Sequence, residues 1–185
     1  MADRHDEVAR PQQHPARPGG ERAIDSNWIK AYPCCLQTHT AIEAALRVRP
    51  LDGPVELAVH PLARAAATVD VPEDGLQAKF SLPYLVAFAL ERGAPGVDDF
   101  AGVAEVDLAR VTVAVDPSLG EQEAVLSAGG EEVARVTAAL GSPERPMSAE
   151  QLAAKVRDLA GGRFDGVLDD PERPASEVLE AAGLA

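Results

Sequence analysis

An α+β fold, with a small antiparallel sheet packed against several helices, is predicted by three features of this 185-residue sequence. Stretches with helical apolar spacing stand among shorter alternating stretches, in an order without a regular strand-helix repeat. Two alternating stretches, residues 123–127 and 132–139, are separated by Ala128, Gly129 and Gly130, as in a hairpin. Hydrophobic residues make up 46% of the chain, enough for a core, but only 4% of residues are aromatic. That core should be modest and built from small side chains.

The elements follow in order. Residues 1–22 are polar, charged and rich in Pro, so they cannot repay the entropy of ordering and are expected to form a disordered leader, in which His5 and His14 carry no role. Residues 23–185 are expected to form one domain, with Trp28 and Ile29 its first large apolar anchors. Residues 38–49 (THTAIEAALRVR) place Ala41, Ile42, Ala45, Leu46 and Val48 on one helical stripe, with Glu43 and Arg47 expected as an i,i+4 ion pair outside it. Pro50, Gly53 and Pro54 break the chain before the strand VELAVH, residues 55–60.

A Pro- and Asp-rich loop at 69–75 leads to a buried helix beginning near Ser81, with Pro83 in its first turn and Gly93 at its stop. A further short helix is expected within 96–104. VTVAV at 111–115 is a strand, and the hairpin strands follow it. Ser148, with Gln151 three residues on, forms a capping box for a helix over 149–160. After a Gly161-Gly162 hinge, residues 175–182 form a last helix.

The formal charge of -13 and a pI near 4.6 argue against binding nucleic acid or an anionic membrane, both of which reward basic patches. No run of about eighteen apolar residues and no apolar signal core occur, so a cytoplasmic protein is expected. The two cysteines, Cys34 and Cys35, are adjacent and are expected to be reduced, packed thiols. Lys30, Lys79 and Lys155 are the only lysines.

Residues 28–45, WIKAYPCCLQTHTAIEAA, carry a lysine, an aromatic-proline step and a His/Thr entry to an Ala-rich helix. Residues 77–93, QAKFSLPYLVAFALERG, contain an FSLPY helix start, and GSPERPMS at 141–148 precedes the final helices. With VELAVHPLA between them, these pieces resemble, in order and spacing, the carboxyl-terminal domain of the MmgE/PrpD family. This group includes 2-methylcitrate dehydratase and cis-aconitate decarboxylase, and the likeness covers about residues 25–179.

The resemblance implies a metal-free lyase that dehydrates or decarboxylates a small polycarboxylate such as methylcitrate or aconitate. Such chemistry needs cations for the carboxylates, a base for a carbon-bound proton and an acid for the leaving group or carbanion. No cofactor is expected: two adjacent cysteines fall short of the three thiolates of an aconitase-type cluster, and no His/Glu spacing suggests a metal.

By the resemblance, Lys30 would bind a substrate carboxylate or shuttle a proton, and Tyr84 would hydrogen-bond a carboxylate or donate a proton; His39, at the start of the first helix, would donate to substrate or tune Lys30. Each has a plainer reading: an exposed lysine, a packed core tyrosine, and for His39 a helix cap or surface residue. Lys79 and Ser81, at the mouth of the FSLPY helix, are candidates for substrate binding. His60, beside Pro61 at a strand end, is expected to be structural.

In the family the site lies against a larger helical domain, of which this sequence holds none. The leading expectation is therefore a lyase domain that needs a helical-domain partner chain. The alternatives are a non-catalytic interaction or dimerisation domain, a truncated remnant, or a module that retains half of a polycarboxylate pocket.

Overall fold

The structure is a computed structural model and describes residues 27–160, 163–164, 170 and 172–183. The expected leader over 1–22 and the Gly161-Gly162 hinge lie outside those residues. The strands β1 (Val55–Val59), β2 (Val111–Val115), β3 (Ala124–Ala128) and β4 (Glu131–Val136) form one sheet in the order β2-β1-β3-β4. β1 pairs antiparallel with β3, and β3 with β4, but β2 lies parallel to β1. The α+β class is as predicted, while the sheet is mixed and not wholly antiparallel. The reason is the long connection after β1, which passes through helices and lets the chain re-enter the sheet in the same direction.

Those helices are α2 (Pro61–Ala66), α3 (Gly75–Ala78) and α4 (Leu82–Glu91); α1 (His39–Val48) precedes the sheet, and α5 (Ala149–Ala160) and α6 (Ala175–Ala182) follow it. Alternation along the strands puts Leu57, Val113, Leu126 and Ala134 in one cross-sheet row. Leu57 and Leu126 in that row are fully buried, under α1, which packs on β3, β4 and α4, while α4 packs on β2. Every residue of α4 from Leu82 to Leu90 is buried, as its apolar composition requires.

Local signals set the ends. Ser81 caps α4 by accepting the Tyr84 N–H at 3.3 Å, and Gly93 follows the helix at φ +104°. Gly129 and Gly130, both at positive φ, close the β3–β4 hairpin. The Ser148/Gln151 capping box forms, with reciprocal bonds of 2.9 and 3.2 Å, at the start of α5. His60 accepts the Leu62 N–H at 3.2 Å and caps α2, a structural role. Among the described residues no helix is long and apolar enough to cross a membrane.

Three expectations are changed. α2 and α3 are additional short helices, and the helix expected within 96–104 is only a 3-10 turn at Asp98–Phe100. Glu43 does not pair with Arg47 on a solvent face: it is 5% exposed and binds the Leu140 N–H and the Arg145 guanidinium, while Arg47 donates to the Arg135 carbonyl. The wide inner surface of α1, buried from His39 to Ala45, brings Glu43 inside.

Candidate functional site

The chain entering α1 is bound at several points. Ile29 donates its N–H to the Gly141 carbonyl at 2.9 Å, and the exposed Lys30 ammonium donates to the Cys34 carbonyl at 3.2 Å. Cys35 donates its N–H to the Lys79 carbonyl at 3.0 Å, so the segment bearing Lys30 is stitched to the turn bearing Lys79. Thr38 closes a 3-10 turn by donating its hydroxyl to the Cys35 carbonyl at 2.7 Å. The next residue, His39, opens α1.

His39 is fully buried, and neither ring nitrogen meets full hydrogen-bond geometry, although backbone acceptors of Cys34 and Tyr32 lie close enough to favour the protonated ring. Tyr32 packs edge-on against its ring, with centroids 5.2 Å apart. Burial, reinforced by the positive charge of Lys30 and more weakly of Lys155, pushes the imidazole down to about 4; the backbone around Cys34 and Tyr32 pulls partly the other way. His39 is therefore neutral near pH 7. Burial also pushes the Cys34 thiol up to about 11, against opposing effects of the Thr38 hydroxyl, Lys30 and Lys79. Burial, with the Glu43 charge, raises the Tyr32 phenol to about 12.

These couplings reveal a feature the sequence did not announce. Lys30 and Lys155 both act on His39, and Lys30 and Lys79 both act on Cys34. In a chain of net charge -13, Lys30 and Lys79 are thus carried on segments joined beside His39 and Cys34, and Lys155 acts only weakly on His39. Among the described residues no carboxylate pairs with any of them. Lys79 instead lies 5.3 Å from the centre of the Phe100 ring.

Ser81 and Tyr84 are placed differently. The Ser81 hydroxyl is buried, donates to the Asp70 carbonyl at 3.2 Å and accepts from Tyr84 as the helix cap. Tyr84 is 1% exposed, packs on Phe88, and its hydroxyl accepts the Ala104 N–H at 3.1 Å. The structure thus brings Lys30, His39 and Lys79 together and occupies the hydroxyls of Ser81 and Tyr84 within the fold. Tyr84 still bears on the cluster, because Ala104 lies just beyond the Phe100 that seats Lys79.

Two further residues belong to this neighbourhood and were missed: Lys155, whose only signal was the scarcity of lysine, and Arg145, hidden in the GSPERPMS loop. With Tyr32, Glu43 and Leu140, Arg145 lines an open hollow of about 200 Å³. A larger hollow, about 580 Å³, lies along β2 and is lined by none of the expected site residues. Among the described residues no three His, Cys, Asp or Glu side chains group as metal ligands.

No curated protein matches this chain. Residues 32–181, well over half of the sequence, match the MmgE/PrpD C-terminal domain. The matched span includes His39, Lys79, Tyr84 and Lys155 and begins two residues after Lys30, and on it the chain belongs to the MmgE/PrpD family, as a carboxyl-terminal domain.

Proposed function

We propose that this domain supplies the cationic side of a site for a small polycarboxylate, and that dehydration or decarboxylation there requires a helical-domain partner. The observation that carries this reading is the joining of the Lys30 segment to the Lys79 turn beside the buried His39, with neither lysine paired to a carboxylate among the described residues. In so acidic a chain, an uncompensated cationic cluster is most simply matched by an anionic ligand. Lys30, exposed and tethered to the Cys34 carbonyl, takes one carboxylate. Lys79, seated on Phe100, takes another.

His39 is a poor base while its imidazole is held near 4. A carboxylate entering beside Lys30 and Lys155 offsets the charge that opposes its protonation, so ligand binding itself raises the imidazole toward a range useful for proton transfer. Tyr84 serves as a positioning residue, holding Ala104 and with it the segment under Lys79. The remaining acid-base groups come from the helical partner. The cytoplasm is the proposed compartment, in keeping with the free thiols Cys34 and Cys35.

Calorimetry at low ionic strength with citrate, methylcitrate and cis-aconitate tests the site. Binding by the wild-type chain, weakened about tenfold by Lys30→Ala or Lys79→Ala, is expected. Absence of binding at millimolar ligand, or unchanged affinity in both variants, refutes it. Turnover is expected only after a family helical domain is added.

A second reading, a non-catalytic interaction or dimerisation domain, is favoured by the exposure of Val71 (70%), Leu76 (68%) and Phe80 (39%) near the start of α4. Under it, a partner binds this surface whether or not Lys30 is replaced.

A further inference from the structure

We propose that the Glu43–Arg145 ion pair is a positioning device that docks the 139–145 loop on α1 and thereby holds the Lys30–Tyr32 segment over His39. This rests on the reading that Lys30 and His39 share one site. Glu43 stands four residues after His39, one helical turn along the same side of α1. It is 5% exposed, and a buried carboxylate is costly unless its oxygens are satisfied. Here they are satisfied wholly by one loop: the Leu140 N–H donates to Oε1 at 2.8 Å, and the Arg145 guanidinium donates to Oε2. Arg145 also donates to the Ala138 carbonyl at 3.0 Å, which fixes the loop at both ends.

The loop transmits that grip to the site. Gly141 donates its N–H to the Arg145 carbonyl at 2.8 Å and accepts the Ile29 N–H at 2.9 Å. The two backbones approach so closely that a Cβ on Gly141 would lie 1.8 Å from the Ile29 carbonyl oxygen. Ile29 precedes Lys30 directly. Tyr32, three residues further on, shares the 200 Å³ hollow with Glu43 and Arg145 and lays its ring edge-on to His39. One carboxylate on α1 is thus linked through the loop to the backbone that carries Lys30 and to the aromatic ring that covers His39.

A buried ion pair is weak support for stability as such, since a well-packed apolar pair can replace it without loss. What an apolar pair cannot reproduce is direction: two donors from the loop, the Leu140 N–H and the Arg145 guanidinium, each take one oxygen of Glu43 and fix where the loop sits. The pair therefore specifies geometry more than it stabilises the fold.

Lys30 and Lys155 act on His39, Tyr32 and Cys34 are its close titratable neighbours, and Glu43 and Arg145 act in opposite senses on the Tyr32 that covers it. Loss of the Glu43 charge by itself would push the imidazole down, so a rise in Glu43→Gln reports movement of the covering segment. The experiment is an NMR titration of His39 in the full chain for the wild type, Arg145→Ala, Glu43→Gln and Arg145→Lys, with citrate affinity measured alongside. The expected result is a shift of His39 from about 4 toward its ordinary 6.5 in Arg145→Ala and Glu43→Gln, with Arg145→Lys closer to wild type because it keeps the charge. Arg145→Ala leaves the buried Glu43 carboxylate without its counter-charge, so the double variant Glu43→Gln/Arg145→Ala, which strands no charge and should show the same His39 shift, serves where a single variant does not fold. A folded Arg145→Ala in which His39 still titrates near 4 overturns the proposal. Failure of the wild type to bind citrate would sink the polycarboxylate site instead, and leaves the His39 titration as a valid test of the clasp.

Discussion

Replacing His39 with Gln should flatten the acid sensitivity of the domain. In the unfolded chain the imidazole has its ordinary value of 6.5, and in the folded chain burial and Lys30 hold it at about 4. Above pH 6.5 neither state takes the proton, and His39 contributes nothing to the pH dependence. Between 6.5 and 4 the unfolded chain is protonated and the folded chain is not, so stability falls as pH falls, by up to about 1.4 kcal/mol per unit. Below 4 the loss is complete, at roughly 3 kcal/mol.

Between about pH 7.5 and about pH 4.5 the wild type should therefore lose about 2.5 kcal/mol more than His39→Gln. That is a sizeable part of the 5–15 kcal/mol typical of a domain, hence measurable by urea unfolding followed by circular dichroism. Carboxylates titrate in both proteins and cancel in the difference. Parallel losses in the two proteins would show that His39 is not held neutral by burial.

Two further outcomes test the framework around the site. Gly141→Ala should cost about 2–4 kcal/mol, because φ +89° strains an L residue and the new Cβ meets the Ile29 carbonyl; an unchanged Tm would contradict the close approach. With Cys34 buried and its thiol near 11, about one molecule in a thousand carries its thiolate at pH 8. An aromatic disulfide reagent should then label only Cys35 rapidly, and rapid labelling persisting in Cys35→Ser would show that Cys34 is open.

Much of the architecture was legible because the interactions that set it lie within a few residues of one another. The Ser81 cap, the Gly93 stop, the Gly129-Gly130 turn and the Ser148/Gln151 box each depend on one or two turns of chain, and their residues can be recognised one by one. Periodicity located α1 and the strands, while apolar content located α4 and the capping box located α5, for the same reason. α2, α3 and the 3-10 turns escaped because three to six residues are too few to display a period.

The family and the α+β class were determined by the order of these local pieces. The tertiary structure alone decided that β2 joins the sheet parallel to β1, since strand direction depends on how the intervening chain is routed. It also decided that Glu43 faces inward, where Arg145, far away in sequence, waits as its partner. The site itself shows the same division: Lys30, His39 and Lys79 could be named from the motifs, but the joining of the Lys30 segment to the Lys79 turn and the neutrality of His39 arise from long-range contact and burial. Neither quantity is a property of any short segment, so both appear only once the chain has closed on itself.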